Sequence, residues 1–261
     1  MLVLYLRRSE IGVGINERVS PSDPERFKVT VEGRPVARQQ RSQKTRDDIV
    51  VEAARLINER TWDHASMKDF TRNAGVTTGA VYFHFANKEA IALTIIDEYN
   101  KRTQRDAEEI LQQHLPAMET ILLTIAKFTR AILKDPIVQA GARLTSQPLV
   151  FDNPPVLPWT AWSTVHVQNL TRAIQEGDVK PEIDVDRYAS YAIGTYAGVF
   201  IFSGLLNGLN DLLERVSDLS IILISSYVVP EKQAYWAQRA LEICDATQPP
   251  LQLSTSGRLE R

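Results

Sequence analysis

A helical rhythm of apolar positions begins near Thr45. Ile49, Ala53, Leu56 and Ile57 recur three and four residues apart and predict a first helix, which Thr61-Trp62-Asp63 interrupts. Ser66 is a suitable cap for a short second helix with Met67, Phe70 and Ala74 inward, and Asp69 suits its first turn. Gly75 is placed to end that helix, and Thr77 or Thr78 to cap a third over Gly79–Phe83. Asn87 then predicts the start of a long helix, Lys88 to about His114, with Glu89 in its first turn. Beyond Pro116 the period returns in Met118–Lys134 and Ile137–Ser146. The prolines of Gln147–Pro158 predict a loop. Trp159–Glu176 is helical up to Gly177, and Asp178–Asp184 connects it to three further helices, Val185–Leu209, Asp211–Val228 and Pro230–Asp245. No stretch alternates as a strand does, and no internal repeat appears. The expected class is all-α.

Residues 1–35 break this pattern. Pro21, Pro24, Pro35, Gly12, Gly14 and Gly33 fall there without a helical period, so an extension outside the packed fold is expected. The compositional change near residue 36 suggests Val36 as the native start. The expected organisation is therefore an extension (1–35), a small helical domain (36–91) and a larger one (92–261). Apolar residues make up 44% of the chain and charged ones 24%, as in ordinary globular proteins. A single cysteine, Cys244, excludes an internal disulfide and a thiolate metal site. The apolar run at the start precedes Arg7-Arg8, the reverse of a signal peptide. The greasiest region, Tyr188–Leu209, is interrupted by Gly194, Gly198, Gly204, Asn207 and Gly208, so no membrane span is expected. A cytoplasmic protein fits.

Charge changes the picture further. Residues 36–105 carry 12 Lys/Arg against 9 Asp/Glu, while residues 106–261 carry 12 against 18. A basic front and an acidic back suit a protein that offers one end to a polyanion. The basic front also contains Ser66–Phe85, two short helices joined by a glycine turn, the pattern of a helix-turn-helix. Its second helix would enter the major groove of double-stranded DNA. Thr77 and Thr78 supply hydroxyls, Gly79 allows close backbone approach, and Tyr82 and His84 project from the same helix. Lys68 lies within this unit and Lys88 follows it. Upstream, Arg38, Arg41, Lys44, Thr45 and Arg46 form a basic arm suited to phosphates or the minor groove. His84 has two readings, a DNA contact or a structural histidine, and Phe83 and Phe85 read as core.

The segment Arg41–Ala92 resembles the DNA-binding domain of the TetR family of bacterial repressors, most specifically in GVTTGAVYFHFANKEAIA, Gly75–Ala92. The resemblance implies a nine- or ten-helix homodimer that binds a near-palindromic operator and is released by a small-molecule effector. Within that family the chain is similar to the γ-butyrolactone receptors of filamentous actinobacteria. YFHF (Tyr82–Phe85), DPIVQAGARLTSQ (Asp135–Gln147) and PWTAW (Pro158–Trp162) carry the likeness, and Trp162 matches a tryptophan of their pocket.

A butyrolactone-type signal needs an apolar slot and a few donors. Trp162 offers a flat wall and an indole donor. Tyr99, Tyr191, Thr195, Phe128 and Phe202 are further candidates, and Gln139 and Arg143 rank lower. Phe128 and Phe202 suit a plain helical core as well. Dimerisation is expected through Asp211–Val228 with either Pro230–Asp245 or Val185–Leu209. The alternative effector is an antibiotic or a multidrug-type cation. His64, His84, His114 and His166 lie far apart, and no phosphate loop or nucleophile elbow is present. No enzyme, cofactor or metal is expected.

Overall fold

The computed structural model describes residues 34–60, 62–146 and 157–245. The expected extension, 1–35, falls mostly outside the described residues. Among the described residues ten α-helices follow in order: α1 Arg34–Glu59, α2 Met67–Asn73, α3 Thr78–His84, α4 Lys88–Leu111, α5 Ala117–Lys134, α6 Pro136–Ser146, α7 Leu157–Gln175, α8 Val185–Asn207, α9 Leu212–Tyr227 and α10 Pro230–Cys244. A single 3-10 turn, Trp62–His64, joins α1 to α2. The compact units divide between Arg41 and Ser42, inside α1.

Two helix starts differ from the sequence reading by two residues or more. Helix α1 begins at Arg34, not near Thr45, so the basic arm is helical. Its residues explain this: Arg34–Arg46 is rich in Arg, Gln, Ala and Lys, with proline only in the first turn. Gln43 and Lys44 reach Asp47 and Asp48 one turn on, at 2.8 and 2.7 Å. Helix α7 likewise begins inside the expected loop, at Leu157, with Pro158 in its first turn.

The caps read from the sequence are in place. Ser66 and Asp69 form a capping box on α2, Thr77 Oγ1 accepts from Ala80 N–H at 3.2 Å, and Asn87 Oδ1 accepts from Ala90 N–H at 2.8 Å. Gly75 takes φ +63°, the left-handed conformation that a glycine tolerates best.

The first core joins α1–α4 through Ile49, Leu56, Phe70, Val81, Phe85, Ile91 and Ile95, and Ile137, Ala140 and Leu144 of α6 close it. The expected boundary near residue 91 falls inside continuous α4. That helix packs most extensively on α6. Beyond it, α5 is central among the described helices and touches α4, α6, α7, α9 and α10. A partly buried ion pair fixes α10 on α5: Arg239 Nε donates to both carboxylate oxygens of Glu119 at 3.0 Å. An isolated antiparallel bridge, Val179 with Val228, ties the α7–α8 connection to the end of α9.

Helix α8 is long and apolar enough to cross a membrane by length and composition. In the fold, Ala189, Ala192, Tyr196, Phe200 and Ser203 turn inward. Tyr191, Ile201, Phe202, Leu205 and Leu206 stay exposed.

Candidate DNA-reading face and ligand cavity

Helix α3 has two faces. Val81 and Phe85, one turn apart, are buried, so Thr78, Gly79, Tyr82 and Phe83 turn outward. Tyr82 is 53% exposed and Phe83 78%. Phe83 therefore departs from its expected core position, because it stands two residues from both inward anchors, about half a helical circumference away. Phe85 is core as expected. Thr77 and Thr78 are exposed at the N-terminus of α3, where unpaired N–H groups and the helix dipole favour anions. A methyl added at Gly79 would meet nothing within 4 Å, so the protein itself does not require a glycine there. Lys68 is exposed on α2.

Several other candidates of this region have partners inside the protein. Lys88 turns inward: its Nζ donates to the Trp62 carbonyl at 2.5 Å and lies 4.1 Å from the centre of the Trp62 ring. Partial burial lowers its pKa, against the opposing influence of Asp63. His84 is half-buried, edge-on to Phe83 at 5.0 Å. Lys44 pairs with Asp48 on the surface, and Arg46 stacks over Phe85 at 5.3 Å. Thr45 is half-buried and Arg41 exposed. Arg38 lies in α1, with its side chain outside the described residues.

The second site is a cavity of about 100 Å³ between four helices. Tyr99 enters from α4, and Ile121, Thr124, Ile125 and Phe128 from α5. Trp162, Val165, His166 and Asn169 come from α7, and Ala192, Ile193 and Tyr196 from α8. The α5 and α7 sets each follow the i, i+3, i+4, i+7 spacing of one helix face. Phe128 is the aromatic hub, with ring centres 5.3 Å from Trp162, 5.5 Å from Tyr196 and 6.2 Å from Tyr99. Burial raises the Tyr99 pKa, with the neighbouring Trp162 indole acting against it. Tyr196 pairs with Thr129 at 3.0 Å, and burial raises its pKa too. Burial also pushes His166 down, to about 4, so its imidazole is neutral.

The model for bacterial regulatory proteins of the tetR family matches residues 49–95, and that for the tetracyclin repressor-like C-terminal domain matches residues 115–230. The chain belongs to the TetR family. The A-factor receptor protein of Streptomyces griseus is 29% identical over 195 residues, which cover 75% of this chain and 68% of the relative. A crystal structure of a γ-butyrolactone receptor, an ArpA-like protein, superposes with a TM-score of 0.67 at 27% identity, covering 78% of this chain and 98% of the other. CprB of Streptomyces coelicolor, solved in complex with its biological operator sequence, gives a TM-score of 0.68 at 26% identity over 78% and 98% of the two chains.

In this TetR-family regulator, three of the sequence candidates meet at the cavity: Tyr99, Phe128 and Trp162. Tyr191, Thr195 and Phe202 do not. Tyr191 is exposed and accepts from Arg187 Nε at 2.9 Å, Thr195 is exposed and donates to the Tyr191 carbonyl, and Phe202 is 61% exposed. The reason is helical register: α8 is apolar on both faces, and packing against α7 and α9 turns Ala192, Ile193 and Tyr196 to the cavity instead. Gln139 and Arg143 of α6 are half-buried away from the cavity lining. His166 and Asn169 were missed, although their spacing from Trp162, four and seven residues, was a readable signal.

Proposed function

We propose that this chain is a transcriptional repressor whose dimer holds a near-palindromic operator and releases it on binding a small neutral signal of γ-butyrolactone, butenolide or furan type, in control of secondary metabolism. One observation carries this reading. Tyr99 in the cavity wall and Ile91, Ala92, Ile95 and Ile96 in the core of the reading head stand on the same unbroken helix, α4. The cavity, about 100 Å³, is smaller than the roughly 300–1,000 Å³ of drug-sized sites. A ligand that enters must push its walls apart, and the displaced wall includes α4. Differential affinity for the widened state is what shifts the equilibrium.

The DNA contacts proposed are Thr77, Thr78, Gly79, Tyr82 and Lys68, with Phe83 added for its exposure. Phe83 offers an apolar contact of the kind that reads a thymine methyl. The ligand contacts proposed are Trp162, Tyr99 and Phe128, with Tyr196 added. Among the described residues, no Asp or Glu lines the cavity, which disfavours the multidrug-cation alternative. For the dimer, the exposed apolar face of α8, with Ile222 on neighbouring α9, favours α8 and α9 as the bundle, one pair from each copy.

The test is operator release. Wild-type protein bound to its operator should dissociate on titration with a synthetic alkyl γ-butyrolactone. Trp162→Ala should bind the operator and ignore the lactone. A normal response of Trp162→Ala would sink the pocket assignment.

A further inference from the structure

The cavity wall is nearly all apolar, and several of its polar groups are engaged elsewhere. Tyr196 pairs with Thr129. Asn169 Nδ2 donates to the Val165 carbonyl at 3.1 Å, while its Oδ1 accepts from Arg172 at 3.3 Å. His166 Nε2 has no such partner. Among the described residues, the buried side-chain atoms without a partner are Asn58 Oδ1, His166 Nε2, Ser217 Oγ and Trp236 Nε1. Of these, the His166 atom alone belongs to a residue of the cavity wall. A buried polar atom without a partner is costly, and native folds keep few of them. Trp162 and His166 stand four residues apart on α7, so they share one face.

We propose that His166 Nε2 is the hydrogen-bonding anchor for the oxygenated head of a neutral ligand, whose hydrocarbon part lies against Ile121, Ile125, Phe128 and Ile193. The proposal rests on the ligand reading above and narrows its chemistry. A neutral imidazole offers one N–H and one lone pair, which suits a carbonyl or a hydroxyl. Among the described residues, no Lys, Arg, Asp or Glu lines the cavity, so an ammonium or carboxylate head would be buried there without a counter-charge from them. The ligand class is an uncharged lactone, ester, ketone or alcohol with an apolar tail.

The test uses the full chain and three ten-carbon probes: γ-decalactone, decanoate and decylamine. Affinity is read by titration calorimetry. Wild type should bind the lactone at least about tenfold more tightly than either charged probe. His166→Phe keeps a flat ring and removes both nitrogens. It should bind the lactone about tenfold or more weakly while holding the operator as wild type does. His166→Gln, whose amide falls near the Nε2 position, should recover most of the loss. Operator affinity reports folding, and His166→Leu makes the same comparison if phenylalanine does not fit. Ile193→Trp fills the cavity and should abolish binding. Lactone binding abolished by Ile193→Trp but unchanged in His166→Phe would leave the cavity as the ligand site and overturn the anchor. Binding unaffected by Ile193→Trp, or no lactone binding by wild type, would overturn the cavity reading and this proposal with it.

Discussion

Tyr99 of α4 rests against the bare backbone of Gly141 in α6, so closely that a methyl group at Gly141 would overlap the tyrosine side chain. The same tyrosine lines the cavity. The α4–α6 contact is thus where the cavity wall meets a helix that also closes the core of the reading head. Gly141→Ala should force the two helices apart at this point, a substitute for the displacement proposed for the ligand. Expected are a loss of about 1–3 kcal/mol of stability, as for other overpacked cores, and weakened operator binding without any ligand. Thermal unfolding and fluorescence anisotropy with operator DNA check both. Operator affinity unchanged in a folded Gly141→Ala protein would argue against this route from cavity to head.

Lys68 and Lys88 were both expected at the DNA, and the structure separates them. Lys68 is exposed, whereas Lys88 binds the Trp62 carbonyl and ring. Lys68→Ala should weaken operator binding and lower the slope of log K against log salt by about one for each phosphate that Lys68 neutralises. Lys88→Met should leave that slope alone and cost about 1–2 kcal/mol of stability. Salt titrations of both variants, with denaturant melts, tell the two roles apart; a reduced slope for Lys88→Met would refute its structural assignment.

The exposed face of α8 presents Ile201, Phe202, Leu205 and Leu206. Contiguous exposed apolar surface of this kind marks an interaction site. A double substitution, Phe202→Glu with Leu205→Glu, places like charges on both sides of a twofold interface. Sedimentation should then show monomers, and operator affinity should fall by more than tenfold, since one reading head holds only half a site. A variant that remains dimeric would exclude this face.

His166 links stability to pH. Its folded pKa, about 4, lies below the ordinary 6.5 because burial disfavours the charged form. The unfolded chain therefore binds the proton first. Stability from this group is full above pH 6.5 and is lost as pH falls towards 4, by up to about 3 kcal/mol. His166→Phe should flatten the acid limb of a stability–pH profile relative to wild type. Parallel profiles would mean that the histidine does not titrate as its burial implies.

Much of the architecture was legible because it is written locally. Ser66, Thr77 and Asn87 cap their helices through hydroxyl or amide oxygens three residues from the bonded N–H. Gly75 terminates α2, and Trp162 to Asn169 repeats at helical spacing. Local rules also could have exposed Phe83, since Val81 and Phe85 already define the inward face. They failed at α8, where Tyr191, Ile193, Tyr196, Phe202 and Leu205 make every face apolar and no period can choose among them. They failed for Lys88 as well, because Trp62 is twenty-six residues away.

The sequence alone, then, determined the helices, their caps and the family-bearing helix-turn-helix, since capping bonds and helical periodicity act within a few residues. Tertiary structure decided which side of α8 faces the cavity, that Lys88 turns inward, and that Gly141 lets Tyr99 sit where cavity and reading head share a helix. Those choices depend on which distant side chains fill the space between packed helices, and that competition leaves no mark on any one stretch of chain.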